Sequence, residues 1–403
     1  MSRKRHVPGA AEIILGSAAE GTLLIDSGRC TLDDFLDRHA PAQYRKSAEH
    51  LLLALYRNRG YLESELRRMT ARPPERKVKS LLLAAMAQSA FQEGIASESS
   101  GSIAVELAKK YRADKFVNAV LRRFYAEKQT APTNPAVVLP PQIFKRWQKR
   151  FAPAELKKLA DLFRSEADFS FRLERGIRET DFSFETLDMP GRFTFASADA
   201  RAVIRSRFLA EGKIYIQDPA AALAPSLPDY SSVKKALDLC AAPGGKSLMM
   251  AELLPSGAEL TAYDRSESRQ KLTEENFRKR GLSHKVLSGD HLPEGVFDLV
   301  LADVPCSNTG VFRRRPDALW RFSEKELQNV VKLQQELLEL AAGYTSPGGQ
   351  LVYSTCSIEP EENEILTERF VASHPDFELV SRHLQLPGRQ NDGASCFLLK
   401  RRF

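Results

Sequence analysis

The stretch Ala236–Leu237–Asp238–Leu239–Cys240–Ala241–Ala242–Pro243–Gly244–Gly245–Lys246 decides the fold. A short apolar run carrying Asp238 reads as a buried parallel strand. It breaks into a Pro-Gly-Gly turn, and a helical pattern follows from Ser247 to Leu254. Strand, glycine turn and helix make the layout that receives nucleotide-like groups. Two glycines let a backbone approach a ligand closely, and a helix N-terminus offers free N–H groups to an anion. The acid that completes such a site is expected about 20 residues on. Asp264 stands there, closing the strand pattern Ala258–Tyr263.

Other readings of this loop compete. Gly245–Lys246–Ser247 resembles the end of a phosphate-binding P-loop, with Leu299–Val300–Leu301–Ala302–Asp303 as its metal-holding strand. That template needs a glycine where Cys240 stands, so it fails at one essential position. A plain βα turn remains open. A nucleoside cofactor without phosphates suits the residues better. S-adenosyl-L-methionine has an adenosine for acids at strand ends and a carboxylate for a helix N-terminus.

From Gly212 onward strand patterns alternate with helices. The strands expected are Lys213–Ile216, Lys235–Leu239, Glu259–Tyr263, Lys285–Ser288, Leu299–Ala302, Gln350–Ser354 and Cys396–Arg401. This is an α/β pattern, a doubly wound parallel sheet of Rossmann-like type. Ligands of such sheets bind beyond the carboxyl ends of the strands, where Asp264, Asp290, Asp303 and Thr355 fall.

Before this domain, residues 31–128 are helical throughout, with Tyr44, Ala48, Leu52 and Leu55 at helical spacing and Phe116, Val120 and Phe124 repeating the pattern. An all-α bundle of five or six helices is expected over residues 1–130, with residues 1 to about 25 a loosely packed arm. Lys109, Lys110, Arg122 and Arg123 give its last helices a basic face, for RNA or simply for solvent. Pro132, Pro135, Pro140 and Pro141 mark a linker. A small α+β subdomain follows in residues 131–210, with a basic helix carrying Trp147 and short strands at Phe169–Leu173 and Arg192–Phe195.

The whole chain has 403 residues, 43% of them hydrophobic, a net charge of +7 and a pI near 9.1. That excludes a mainly disordered chain and favours a polyanionic partner, nucleic acid first. No apolar run reaches the roughly 20 residues of a membrane span, and Ile13–Ile14–Leu15 is too short for a signal segment. A cytoplasmic protein is expected, with no membrane partner. The five cysteines form no CxxC or Cys/His cluster, so no metal is expected.

Two of those cysteines carry chemistry. Asp303–Val304–Pro305–Cys306 ends one strand and Ser354–Thr355–Cys356–Ser357 ends the next, so both thiols should face one crevice. Carbon 5 of cytosine is a poor nucleophile. A thiolate added at carbon 6 makes an enamine whose carbon 5 can take a methyl group. Asp303 is placed to assist at ring nitrogen 3. A second thiol can then serve the release of the product. Spacing alone leaves open which cysteine does which.

These stretches resemble the NOL1/NOP2/Sun family of RNA cytosine-5 methyltransferases. The matching motifs are Gln217–Asp218, Asp238 to Lys246, Asp264, Asp303 to Ser307, Thr309–Gly310–Val311, Arg315–Pro316–Asp317 and Tyr353 to Ile358 with Glu361–Glu362–Asn363–Glu364. Val105 to Lys110 and Phe116 to Arg123 are similar to the NusB family. The resemblance implies that Cys356 is the nucleophile, that Cys306 promotes release, and that Asp303 and Lys246 assist. It implies a cofactor set of Cys240, Ala241, Ala242, Pro243, Gly244, Gly245, Lys246, Asp264, Arg269, Asp290 and Asp303 around S-adenosyl-L-methionine, with Asp264 on the ribose and Asp290 on the adenine. It also implies ribosomal RNA of the small subunit, before full assembly, as the partner of a monomeric enzyme in residues 211–403. Transfer RNA as substrate, or a non-catalytic RNA scaffold, are the alternatives. Asn308 and Val304 depart from the commoner glycine and alanine. Arg313, Arg314 and Arg315, just after the Pro-Cys turn, are candidates for RNA phosphates.

Overall fold

The computed structural model describes residues 9–92, 97–127, 133–188 and 191–403. The basic start of the chain, Lys128 at the end of the helical run, and Thr130 to Pro132 of the linker lie outside them. The chain divides into two compact units. One runs to Glu166 and includes Phe312–Ser323; the other comprises Ala167–Val311 and Glu324–Phe403. Composition had suggested cuts after residues 130 and 210, and it gave no sign of the inserted piece.

The first unit is helical. Its elements include α1 (Ala10–Asp26), α2 (Leu32–Arg38), α3 (Arg45–Met69), α4 (Arg76–Phe91), α5 (Ser97–Ala108) and α6 (Asp114–Ala126). Leu51, Leu52 and Leu55 of α3 and Leu82 to Ala85 of α4 are fully buried, as their spacing requires. The expected arm is instead α1, a core helix with Leu15, Ala18 and Ile25 buried. Its small residues dilute the apolar stripe but allow close packing. A Cβ on Gly21 would lie 2.8 Å from the Phe35 ring. Pro135 and Pro141 begin short helices, Pro135–Val138 and Pro141–Trp147, where their missing N–H costs nothing.

The inserted piece Phe312–Ser323 belongs to this helical core. The Phe312 ring lies 6.0 Å from that of Trp147 and 5.5 Å from that of Phe163, centroid to centroid. The Leu32 amide donates to Asp317 at 3.2 Å, and the Trp320 indole donates to the Tyr56 carbonyl at 3.0 Å.

The second unit holds two sheets. A small one has the order β2-β3-β1-β4, built from β1 (Ser170–Leu173), β2 (Glu185–Thr186), β3 (Thr194–Ser197) and β4 (Ile214–Ile216). β4 was expected in the large sheet. It pairs antiparallel with β1, with Arg172 opposite Tyr215, and closes the small sheet instead.

The large sheet has the order β10-β11-β9-β8-β5-β6-β7. Its strands are β5 (Lys235–Asp238), β6 (Glu259–Asp264), β7 (Lys285–Ser288), β8 (Phe297–Asp303), β9 (Thr345–Thr355), β10 (Phe377–Gln385) and β11 (Ala394–Arg401). β9, β8, β5, β6 and β7 are mutually parallel, but β11 and β10 run antiparallel. The sheet is therefore mixed, not all parallel. β10 escaped notice because its outward Leu379, Val380 and Leu384 are exposed and blur the alternation. On one face Leu237, Val300 and Leu351 pack under helix Glu324–Tyr344; on the other, Ala236, Leu299 and Leu301 meet Leu248 and Phe277. Burial on both faces explains the continuous apolar runs that marked these strands.

Candidate active site

The carboxyl ends of β6, β5, β8 and β9 lie side by side and form the floor of a crevice. The loop after β5 is latched to Asp264. The Ala242 amide donates to one carboxylate oxygen at 3.1 Å and the Ser266 amide to the other at 2.9 Å. Arg269 braces the same loop, donating to the Ala242 carbonyl at 2.6 Å, with its guanidinium 3.6 Å from Asp264. Asp290 is exposed on the turn after β7, a turn anchored by the Tyr263 hydroxyl on the Gly289 carbonyl at 2.9 Å.

Both glycines are also required by the protein's own packing. Gly244 sits at φ +96°, and a Cβ there would lie 2.9 Å from Thr273. A Cβ on Gly245 would lie 2.7 Å from the Gln217 amide and 2.9 Å from the Tyr215 ring. The protein's own packing fills the space beside both.

Asp238, at the carboxyl end of β5, has surroundings that the sequence alone did not reveal. It is fully buried, and one oxygen accepts from the Ser247 hydroxyl at 2.6 Å. The other has no partner. Burial, against the Ser247 hydrogen bond and aided by the charges of Asp303 and Asp264, holds its pKa up at about 7. Burial and the same three carboxylates push the neighbouring Cys240 thiol far up, so it is inert. An orphaned buried oxygen among several strand-end acids suits a ligand bearing positive charge and hydroxyl groups. S-adenosyl-L-methionine, with its sulfonium, ammonium and ribose, is such a ligand.

On the other side of the crevice the two thiols meet. The sulfurs of Cys306 and Cys356 lie 2.8 Å apart, and Cys356 Sγ is 3.4 Å from the Asn308 side-chain oxygen. Lys246 donates to Asp303 at 2.5 Å, and the Ser354 hydroxyl donates to the other Asp303 oxygen at 2.9 Å. Burial works against the Lys246 charge, but Asp303 outweighs it and keeps the pKa above its ordinary value. Lys246, Asp303 and Cys356, with Asp218 and Asp392, line one cavity of about 110 Å³.

Both departures noted in the Pro-Cys turn have local explanations. Asn308 has φ +62°, the left-handed region that glycine favours and asparagine tolerates, and its amide caps the Cys306 carbonyl at 3.1 Å. Val304 is buried, its amide bonded to the Ser354 carbonyl at 3.0 Å. Gly310 has no substitute. Its amide donates to the Cys356 carbonyl at 3.0 Å, its carbonyl accepts from Gly393 at 2.8 Å, and a Cβ would lie 2.6 Å from the Gly393 oxygen.

Among residues proposed for RNA, Lys110, Arg122 and Arg123 are exposed, while Lys109 is exposed but paired with Glu106 at 2.5 Å. Arg313 does not fit the expectation. It is buried in the helical unit and donates to the Glu166 carbonyl. Arg315 remains exposed.

Fold and site together define a class, the S-adenosyl-L-methionine-dependent RNA methyltransferases, and comparison with known proteins bears this out. The chain belongs to the 16S rRNA methyltransferase RsmB/F family, whose model matches residues 222–399. A NusB family model matches residues 19–126. Relatives named ribosomal RNA small subunit methyltransferase B include one from Klebsiella pneumoniae (strain 342), 30% identical over 374 residues and 85% of each chain. Another, from Serratia proteamaculans (strain 568), is 31% identical over 318 residues, 72% of this chain and 74% of the relative. The crystal structure of PH0851 shares the fold at 20% identity and a TM-score of 0.75, covering 99% of this chain and 100% of its own. That of NSun6 from Pyrococcus horikoshii with SFG has a TM-score of 0.52 at 18% identity, covering 66% and 98%. Among the described residues no helix is long and apolar enough to cross a membrane.

Proposed function

We propose that the chain methylates carbon 5 of a cytosine in ribosomal RNA of the small subunit through a covalent cysteine adduct. The observation that carries the reading is the pair of thiols 2.8 Å apart at adjoining strand ends, with Cys356 on the wall of a cavity of about 110 Å³. That volume is on the scale of one pyrimidine ring, which would enter only after leaving its stack. The names of the relatives support ribosomal RNA as the substrate.

In this reading the Cys356 thiolate adds to carbon 6 and makes carbon 5 electron-rich. Asp303, fixed by Lys246 and Ser354, is the partner for ring nitrogen 3. S-adenosyl-L-methionine supplies the methyl group as an electrophile and would be held by Asp264, Asp290, Arg269 and the loop from Cys240 to Lys246. Cys306, once it has released its own proton to water, then takes the proton from carbon 5. The electron pair of that C–H bond restores the ring double bond, the carbon 6–sulfur bond breaks, and Cys356 leaves as thiolate. Bisulfite mapping of RNA from a strain lacking the gene tests the substrate. One cytosine of small-subunit ribosomal RNA should lose its protection. Loss confined to transfer RNA would redirect the assignment, and no loss anywhere would overturn it.

A further inference from the structure

The Pro-Cys and Thr-Cys turns are tied together beneath the thiols by one side chain. Glu362, in the turn Pro360–Glu362, is fully buried. Its Oε1 accepts from the Ser307 amide at 2.8 Å and from Gln334 Nε2 at 2.9 Å. Its Oε2 accepts from the hydroxyls of Ser307 and Ser357. Gln334 Nε2 also donates to the Pro305 carbonyl at 2.9 Å. Cys306 is therefore bracketed, its preceding carbonyl and its following amide both held in the Glu362 network.

Two of the four donors to this carboxylate, an amide N–H and a carboxamide N–H, cannot reverse their role. Burial pushes the Glu362 carboxyl above its ordinary value, and the hydrogen bonds from Ser307, Ser357 and Gln334 oppose that rise. Four converging donors are what a buried carboxylate needs in order to ionise. Among the described residues no Lys or Arg pairs with it, so its charge stays uncancelled beside the Pro-Cys turn. Cys356 instead faces a cavity shared by Lys246, whose charge interacts with it, and by the carboxylates of Asp303, Asp218 and Asp392.

We propose that Glu362 is a positioning residue that divides the roles of the thiols: it clamps both turns and, as a carboxylate, opposes negative charge on Cys306. The inference rests on the two-thiol reading above. A group whose proton is held tightly is a poor resting nucleophile and, once deprotonated, a strong proton acceptor, which is the role given to Cys306. Consistent with this, the Cys306 thiol is pushed far up, first by its hydrogen bond with Cys356, then by burial and the charges of Cys356 and Glu362. The charged or titratable groups around the two thiols are Glu362, Tyr353, Asp303 and Lys246, with Asp218 and Asp392 in the cavity that Cys356 lines.

The test is iodoacetamide labelling of the full-length protein without RNA, read separately at each cysteine by peptide mass spectrometry across pH. In the unsubstituted protein Cys356 should label first and Cys306 only at high pH. Glu362→Gln keeps the shape and one acceptor oxygen but removes the charge. It should raise Cys306 labelling roughly tenfold near pH 8 and move its pH profile down, while Glu362→Asp, which retains the charge, should not. Ser357→Ala removes one of the four donors that hold Glu362 ionised, together with the Ser357 Oγ contacts to the Glu359 amide and the Thr309 hydroxyl, so less of Glu362 is charged at a given pH. It should shift Cys306 in the same direction by less, and it serves if Glu362→Gln does not fold. A folded Glu362→Gln or Ser357→Ala protein with an unchanged Cys306 profile overturns the role of Glu362 alone. An unsubstituted protein whose Cys306 labels before Cys356 overturns the assignment of the nucleophile as well.

Discussion

The interior of the helical unit and the floor of the crevice keep their shape by different means. In the bundle, Leu51, Leu52, Leu55, Leu82 and Leu83 are buried against one another, and no bond direction fixes any of them. Beneath the crevice the fully buried residues include Asp238, Ser357, Glu359, Glu362 and Asn363. Asn363 alone ties three places, donating to the Ser357 and Glu359 carbonyls at 3.0 and 2.8 Å and accepting from the Thr355 hydroxyl at 2.7 Å. Apolar packing tolerates exchange when volume is kept, whereas a polar network leaves an unpaired group wherever one member is lost. The bundle is therefore built for robustness, and the crevice for holding a few atoms in one arrangement.

The sharpest break should come at the thiols. Cys356→Ala should lose methylation by at least about a thousandfold, as removal of a nucleophile does, and form no adduct. Cys306→Ala should still add and transfer, then accumulate a protein–RNA complex on denaturing gels that depends on S-adenosyl-L-methionine. A trapped complex with the first variant and none with the second would reverse the roles.

On the apolar side, Leu82→Ala should cost about 2–5 kcal/mol in denaturant unfolding of the helical unit. S-adenosyl-L-methionine affinity measured on folded protein should not change. A loss of cofactor binding there would show that the two interiors are not independent.

Asp264→Ala removes both the latch on Ala242 and the proposed ribose acceptor. It should weaken cofactor binding by about 1.5–3 kcal/mol in calorimetry; unchanged affinity would remove Asp264 from the cofactor set.

An effect confined to part of the pH range concerns Asp238, which ionises at about 7 in the fold and near 4 when unfolded. The stability of its neutral form is complete below pH 4 and is lost as pH rises through 7. Asp238→Asn should therefore melt with the unsubstituted protein near pH 4 and above it at pH 8, by on the order of 4 kcal/mol for a shift of about three pH units. Parallel melting curves across that range would mean that the buried charge is relieved by some other route.

What the sequence made legible follows from the same contrast. Repeated leucines announce helices α3 and α4, and apolar runs announce β5, β8 and β9, because burial is written in periodicity. Strand order then brings Cys306 and Cys356 together before any coordinate is known. Helix α1 was hidden by Gly16, Ala18 and Gly21, which carry little apolar signal, although Ala18 is fully buried and Gly21 packs closely on Phe35. β4 could not be placed, since three residues do not say which sheet they join. Glu362 stood in a quoted motif without a role, because its four donors come from three separate segments and no local pattern points to them. Gly244 and Gly245 were singled out by spacing, but their neighbours Thr273 and Gln217 could be found only in the fold.

The inserted piece Phe312–Ser323 also sets an order of birth. The ribosome completes the helical unit up to Glu166, yet the part that covers Trp147 and Tyr56 is made only 157 residues later (323 − 166). At roughly 5–20 residues per second that is a wait of about 8–30 s. During it the bundle lacks a wall, while β5 to β8 of the second unit are already emerging. The helical unit is therefore completed only after strands β5 to β8 of the second unit have been made.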